Sequence, residues 1–124
     1  MKICITSKGQ NLESEVDPRF GRCAYFIIVD TETLDFESRN NMNASASGGA
    51  GIQSGQIMSE SNVKALLTGN VGPNAFQTLK AAGIDIITGV SGKVMDAITK
   101  YKKDEYKSVN SATVESHFGM KGGK

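Results

Sequence analysis

The sequence predicts a single α/β domain in which helices flank a mixed β-sheet, and two observations support this. In the second half of the chain, short apolar segments alternate with helical patterns, which is typical of parallel strands joined by right-handed crossovers. In the first half, strand-like segments follow one another across a short turn, which indicates an antiparallel addition to the same sheet. The predicted order is β-β-β-α-β-α-β-α, with five strands and three helices.

The first half of the chain contains three short segments with strand patterns. The second is apolar almost throughout, so we expect it to be covered on both faces of the sheet. The third alternates apolar and acidic side chains, which is typical of a half-exposed edge strand. The three predicted strands are residues 2–6, 24–30 and 34–38. Turn signals place loops at residues 8–22, 31–33 and 40–51.

The second half adds two strands and three helical patterns, each with apolar side chains on one face. Pro73 suits the first turn of the second helix, and Gly83 suits its end. The predicted strands are residues 64–68 and 84–88, and the predicted helices extend from about 51 to 63, from 74 to 82 and from 93 to about 103. Residues 107–124 are polar and Gly-rich, so we expect a flexible tail after a domain of residues 1–106.

Composition and charge limit the classes of function. A chain of 124 residues with 39% hydrophobic and 22% charged residues suits one soluble globular domain. The net charge is +1 with acids and bases interspersed, which argues against a nucleic-acid-binding face. No apolar run approaches the ~18 residues of a membrane span, and no signal peptide is visible. Two cysteines without a CxxC spacing suit a cytoplasmic protein, and nothing demands more than a monomer.

The residue combinations of several common catalytic sites are absent from the sequence. The single histidine, His117, lies in the predicted tail, which argues against a Ser/His or Cys/His catalytic pair. There is no Walker A motif, H-E-x-x-H motif or complete G-x-G-x-x-G motif. The first predicted strand has no acidic residue to anchor a two-metal nuclease site. We therefore expect a protein without enzymatic activity.

Three predicted parallel strands end alike, with a polar residue followed by a turn of small residues. These ends are Thr6-Ser7, Thr68-Gly69 and Thr88-Gly89. The carboxyl ends of parallel strands meet at one edge of a sheet, where open α/β folds bind ligands. Residues 43–51 are rich in glycine and precede a predicted helix, so their N–H groups suit an anion at the same edge. The alternative is that these small residues serve turn geometry, packing or flexibility.

The loop of residues 8–22 leaves the same edge and contains Arg19 and Arg22. Guanidinium groups beside amide-rich turns suit a multivalent anion, whereas the alternative interpretation is that both arginines are solvated surface residues. Cys23 follows Arg22, whose charge is expected to lower the pKa of the thiol and favour a thiolate ligand. Cys23 is thus the better ligand candidate of the two cysteines, but a buried structural role is the preferred interpretation of both Cys23 and Cys4.

Four segments together resemble the dinitrogenase iron–molybdenum cofactor biosynthesis family, and the resemblance extends to about Tyr101. The family includes NifX-like and NafY-like carriers, the C-terminal domain of NifB and the small orange protein, which holds a molybdenum–copper sulfide cluster. The resemblance implies a ribonuclease H-like fold without nuclease activity. The four segments are Asp17-Pro18-Arg19-Phe20-Gly21-Arg22-Cys23-Ala24-Tyr25-Phe26, residues 43–51, residues 69–76 and residues 89–92.

The resemblance also implies that the Gly-rich loops and Arg19-Phe20-Gly21-Arg22, here called the arginine segment, surround an anionic metal–sulfur cluster, with molybdenum and either iron or copper. A protein that donates or accepts the cluster is the implied partner. The domain body has no histidine, which favours the orange-protein-like branch over the nitrogenase-pathway carriers. The residues expected to contact the cluster are Ser7, Arg19, Phe20, Gly21, Arg22, Ser47, Gly48, Gly49, Ala50, Gly51, Gly69, Asn70, Gly72, Asn74, Gly89, Ser91 and Gly92, and the candidate metal ligands are Cys23 and His117.

Two other functions remain open at this level. A nucleotide- or phosphate-sensing module would use the same amide-rich edge, although the Lys–Ser/Thr pair of a Walker motif is missing. A scaffold whose glycine turns only pack would need no ligand at all.

Overall fold

The structure is a computed structural model that describes residues 1–41, 57, 58 and 60–106. Regular elements within these residues comprise five strands and two helices with defined bounds. The strands are β1 (Lys2–Ser7), β2 (Tyr25–Asp30), β3 (Phe36–Asn40), β4 (Ala65–Leu67) and β5 (Asp85–Ile87), and the helices are α1 (Pro73–Ala81) and α2 (Val94–Lys102).

The strands form one mixed sheet with β1 at its centre, in the order β3-β2-β1-β4-β5. β1 pairs antiparallel with β2 and parallel with β4. β3 extends the antiparallel half, and β5 extends the parallel half. The prediction of an antiparallel first half joined to a parallel second half is therefore confirmed.

Both faces of the central strands are buried, because alternate side chains enter two separate hydrophobic cores. Cys4 and Phe26 join the core beneath α1. Ile3, Ile27 and Leu67 join the core beneath α2. The apolar run of β2 was expected to be covered on both faces, and its four central residues are all buried. Burying each of these large apolar side chains contributes roughly 1.5–3 kcal/mol to folding.

The edge strand differs from its prediction in position and exposure. β3 begins at Phe36 because the preceding turn is longer than expected. The N–H of Leu34, which has a φ of 65°, donates to the carbonyl oxygen of Asp30 at 2.8 Å. The Asp30 carboxylate also accepts a hydrogen bond from the N–H of Glu32 at 2.8 Å. The alternation of apolar and acidic residues therefore does not mark a buried face, and Phe36 is 42% exposed.

The two bounded helices lie within one or two residues of their predicted positions. Pro73 occupies the first turn of α1, and Gly83 follows its end with a φ of 75°, as both residue types predicted. In the first predicted helix, of about residues 51–63, Ile57, Met58 and Glu60 are helical and Met58 is fully buried. The rest of that helix, the Gly-rich residues 43–51 and the predicted tail lie outside the described residues. Within the described part, no helix has the length and apolarity that crossing a membrane requires.

Candidate functional site

The loops that follow β1 and β4 are bound to each other by backbone contacts. The N–H of Asn70 donates to the carbonyl oxygen of Pro18 at 2.8 Å, and the N–H of Phe20 donates to the carbonyl oxygen of Asn70 at 3.4 Å. A Cβ atom at Gly69 would lie only 2.6 Å from the Cα atom of Pro18, so this contact requires glycine. The segment that contains Arg19 therefore lies directly against the loop that leads into α1.

The loop that follows β5 joins the same edge of the sheet. The N–H of Gly89 donates to the carbonyl oxygen of Gly69 at 2.9 Å, and the N–H of Val90 donates to that of Thr68 at 3.1 Å. All three parallel strand ends thus meet, as their parallel pairing predicted. Gly89 and Gly92 have φ values of 74° and 87°, so their left-handed backbone alone favours glycine.

Buried hydroxyl groups hold the strand ends together beneath these loops. Thr6 Oγ1 lies 2.5 Å from the carbonyl oxygen of Asp17 and 2.8 Å from Thr68 Oγ1. Because a carbonyl only accepts, Thr6 donates to Asp17, and Thr68 donates to Thr6. The Ser7 hydroxyl donates to the carbonyl oxygen of Gly9 at 2.7 Å and accepts from its N–H at 3.1 Å. These hydroxyl groups therefore have structural partners inside the edge.

The two helices begin differently at this edge. The first turn of α1 has no acidic residue and no side-chain cap, and within the described residues the N–H groups of Asn74 and Ala75 have no hydrogen-bond acceptor. In α2 the N–H groups of Val94 and Met95 donate to carbonyl oxygens of the β1–β2 loop, both at 2.9 Å. The positive end of α1 thus retains, within the described residues, the donors that an anion needs, whereas the first two N–H groups of α2 are already used and its first turn contains the acidic Asp96.

Asp17 is a buried carboxylate that organises the arginine segment. Its side chain is 3% exposed, and its Oδ1 atom accepts from the Arg19 N–H at 3.1 Å and from Arg19 Nε at 3.3 Å. Arg19 Nη2 lies 3.4 Å from the second carboxylate oxygen. This hydrogen-bonded pair raises the pKa of Arg19. Asp17 lies in the predicted loop of residues 8–22, and its contact with the N–H two residues later is a turn geometry that aspartate side chains commonly form.

Cys23 does not have the surroundings of a reactive thiolate. The residue is fully buried, and burial is the main reason that its pKa is raised to about 12, with the charge of Asp17 adding to the effect. Hydrogen bonds from its own N–H and from Asn41 act in the opposite direction but are weaker. The expectation that Arg22 would lower this pKa was therefore wrong, because the cost of desolvating a thiolate dominates. Cys4 is a buried core residue, as predicted.

Asn41 is a buried residue that the sequence analysis missed. Its Nδ2 group donates to the carbonyl oxygen of Gly21 at 3.0 Å and to that of Cys23 at 2.9 Å. Its backbone N–H donates to the carbonyl oxygen of Ala24 at 3.0 Å. Nothing in the sequence distinguishes Asn41 from the other asparagines of the predicted loop, because its partners lie about 20 residues earlier in the chain.

The predicted site residues divide by location. Residues 19–22, 69, 70, 72, 74 and 89 lie along the joined loops or at the start of α1. Phe20 is buried and its ring centroid lies 6.0 Å from that of Phe26, so its side chain serves the core and does not point towards an anion at this edge. Ser91 and Gly92 lie beside the start of α2, where the Gly92 carbonyl oxygen accepts from the N–H of Val16 at 2.8 Å.

The remaining predicted residues cannot be placed against this edge. Ser47, Gly48, Gly49, Ala50, Gly51 and His117 lie outside the described residues. Among the residues that the structure describes, no group of three or more His, Cys, Asp or Glu side chains could hold a metal ion.

Comparison with known proteins identifies the family of this chain. The family model described as dinitrogenase iron–molybdenum cofactor matches residues 1–104. The chain belongs to this family. The resemblance noted from the four sequence segments is thereby confirmed, and it ties this small protein to biosynthesis of that cofactor or to cluster binding.

Two solved structures and one curated relative are similar to the chain. The apo form of the orange protein from Desulfovibrio gigas has a TM-score of 0.87 and 38% identity, covering 90% of this chain and 95% of that one. A NifB-like protein of the DUF35 family from Thermotoga has a TM-score of 0.79 and 38% identity, with coverages of 90% and 96%. An uncharacterised protein of Methanocaldococcus jannaschii is 30% identical over 89 residues, which is 69% of this chain and 72% of the relative.

Proposed function

We propose that this protein binds, stores or delivers an anionic metal–sulfur cluster and has no catalytic activity of its own. One observation carries the proposal: the N–H groups at the start of α1, which have no acceptor among the described residues, adjoin the arginine segment through Asn70. Helix N-termini and guanidinium groups both favour negative charge. The family, and the similarity to the orange protein and the NifB-like protein, support a cluster as the anion.

The donors at this edge suit hydrogen bonding to a sulfide-rich anion better than direct coordination of its metals. The thiol of Cys23 is buried and protonated, and the described residues offer no metal-ligand group. N–H and guanidinium groups would instead bind the outer sulfides of a preformed cluster. A cluster held in this way leaves without breaking a bond between metal and thiolate, which suits transfer to an acceptor protein.

The proposal extends to properties that family membership leaves open. We propose a cluster of molybdenum with iron or copper, contacts from residues 47–51, a protein that donates or accepts the cluster, and a monomeric cytoplasmic carrier. The order β3-β2-β1-β4-β5 supports assignment of the domain to the ribonuclease H-like class. Two cysteines without a disulfide bond support a reducing compartment.

The test uses tetrathiomolybdate and copper(I), mixed anaerobically with the purified protein and then desalted. We expect charge-transfer absorption to remain with the wild type, and Arg22→Ala to weaken binding about tenfold through loss of a charge-assisted hydrogen bond. Arg19→Ala should weaken binding as well, with folding checked by circular dichroism because Asp17 loses its partner. The matched control is Arg39→Ala, which removes an exposed arginine from β3, where it pairs with Glu37 at 3.3 Å.

Equal weakening of cluster retention in Arg22→Ala and Arg39→Ala would contradict the proposed site, since Arg39 lies on the outermost strand β3 and only Arg22 belongs to the segment joined to the loop before α1. A wild type that retains no absorption would contradict binding of this type of cluster altogether.

A nucleotide- or phosphate-sensing module is the second candidate, because the start of a helix with unpaired N–H groups also suits phosphate. Isothermal titration with ATP and ADP distinguishes the two functions. Cluster binding predicts no meaningful heat with either nucleotide. Heat from a nucleotide, together with loss of that heat in Arg22→Ala and no retention of the cluster, would favour the sensing module.

A further inference from the structure

Asn41 has an unusual position for a polar side chain. It follows β3 directly, it is only 4% exposed, and it belongs to no strand or helix. Burial of an amide is unfavourable unless its hydrogen bonds are made, and the Nδ2 group of Asn41 makes two of them with carbonyl oxygens of a different loop.

The two carbonyl groups that Asn41 binds lie on either side of Arg22. The Gly21 carbonyl belongs to the peptide group that precedes Arg22, and the Cys23 carbonyl lies one residue beyond it. The backbone N–H of Asn41 binds the next carbonyl, that of Ala24, at 3.0 Å. Asn41 therefore restrains the backbone both before and after Arg22.

The arginine segment is restrained at its other end by the loop that leads into α1. The N–H of Phe20 donates to the Asn70 carbonyl oxygen, so residues 19–24 are held between the end of β4 and the end of β3. Within this segment Gly21 has a φ of 94°, and the Arg22 N–H closes a tight turn on the Arg19 carbonyl oxygen at 3.3 Å. The direction in which the exposed Arg22 side chain leaves the backbone depends on this turn.

We infer that Asn41 is a positioning residue for anion binding, which acts by holding the backbone on both sides of Arg22 and thereby fixes the direction in which its guanidinium is presented to the anion. This inference rests on the proposed function. The two contacts require a primary amide, because its single nitrogen supplies two N–H donors, and asparagine provides this amide on a short side chain. A serine has one donor, whereas a leucine or an aspartate has none at neutral pH.

A purely structural role for Asn41 would predict a different result from a role that acts through Arg22. If Asn41 only stabilises the fold, its substitution changes affinity by the same factor whether or not Arg22 is present. If it acts by placing Arg22, its substitution weakens binding only while the guanidinium is there. A double-mutant cycle separates the two roles.

The experiment measures the dissociation constant for tetrathiomolybdate with copper(I) in Asn41→Ala, Arg22→Ala and the double variant. Asn40→Ala is the matched control, since it is the same truncation one residue earlier at an exposed position. Ile98→Ala is the stability control. Ile98 is buried in the core beneath α2, so its truncation lowers the unfolding temperature without touching the arginine segment. All affinities are measured at a temperature where circular dichroism shows each variant to be folded.

We expect Asn41→Ala to weaken binding about tenfold in the wild-type background and less than about twofold in the Arg22→Ala background. Asn40→Ala and Ile98→Ala should retain wild-type affinity. An equal loss in both backgrounds, or an unchanged affinity in Asn41→Ala, overturns the inference while the proposed function stands. Absence of binding in the wild type overturns both.

Discussion

The two thiols of this chain show, at the scale of single residues, how burial overrides a neighbouring charge. Cys23 follows Arg22 in the sequence, yet it is fully buried in the core beneath α1. Burial raises the pKa of Cys23 to about 12, and it also raises the pKa of Cys4 well above its ordinary value. A thiolate at either position would be a charge in apolar surroundings, where the exposed guanidinium of a chain neighbour compensates little.

These raised pKa values predict that the fold loses stability at alkaline pH. Above the ordinary thiol pKa, near 9.0, the unfolded chain releases the proton while folded Cys23 keeps it up to about pH 12. The stabilising contribution is complete below the unfolded pKa and declines as pH rises towards the folded one, by at most about 1.4 kcal/mol per pH unit for each thiol. Urea unfolding measured from about pH 8 to about pH 11 should show this decline.

The variant Cys23→Ala provides the comparison for that series, because lysines and tyrosines titrate in the same range. Its unfolding free energy should fall less steeply with pH than that of the wild type. Parallel curves for the two proteins would show that the Cys23 thiol does not carry the effect.

At the scale of elements, α1 and α2 have similar lengths but different N-termini. Each spans nine residues and lacks a side-chain cap. The β1–β2 loop supplies carbonyl oxygens to the first turn of α2 but not to that of α1. Of the two bounded helices, α1 therefore presents N–H groups without an acceptor among the described residues, together with the positive end of the helix dipole, beside the arginine segment.

This difference predicts that Asn74→Asp separates helix stability from anion binding. A carboxylate in the first turn of α1 should leave stability unchanged or raise it by roughly 0.3–1 kcal/mol. The same charge should repel an anionic cluster and weaken its binding about three- to tenfold. Thermal unfolding and retention of tetrathiomolybdate with copper(I) measure the two effects.

Gln77→Glu is the matched control, since it converts an exposed amide to a carboxylate three residues further along the same helix. It should change affinity less than Asn74→Asp does. Equal losses in the two variants would indicate a general effect of net charge, and unchanged affinity in Asn74→Asp would remove α1 from the proposed site.

At the scale of the whole molecule, the sheet separates two hydrophobic cores. The described members of both cores lie between Ile3 and Tyr106, and the family model ends at residue 104. Tyr106 packs at the margin of the core beneath α2. These observations support the prediction of a domain of residues 1–106.

A chain that ends at Tyr106 should consequently fold and bind like the full chain. We expect its unfolding temperature to lie within about 2 °C of the full-length value, because residues 107–124 are polar and Gly-rich in sequence and lie beyond the family match. Retention of tetrathiomolybdate with copper(I) should also be unchanged, since His117 is removed along with the predicted tail. Loss of retention in a truncated chain that still folds would assign residues 107–124 a part in binding.

Local patterns predicted the elements whose environment depends on their own residues. The apolar run of β2 indicated burial on both faces, and Pro73 with Gly83 marked the ends of α1. The pattern of β3 correctly predicted an edge strand, but not its bounds or the exposure of Phe36, because the capping turn at Asp30 extends further than expected and no layer covers Phe36 in the described part of the structure. Periodicity reports which side chains could face a core, and packing decides whether a core is there.

The sequence was enough to determine the mixed sheet, the convergence of its parallel strand ends and the family, since these follow from short-range patterns and motifs. Tertiary structure alone decided the protonated state of Cys23, the pairing of the buried Asp17 with Arg19, and the hold of Asn41 on the backbone around Arg22. It also decided which helix keeps its N–H donors. Each of these depends on burial or on which groups the fold brings together, and local sequence patterns do not encode such contacts.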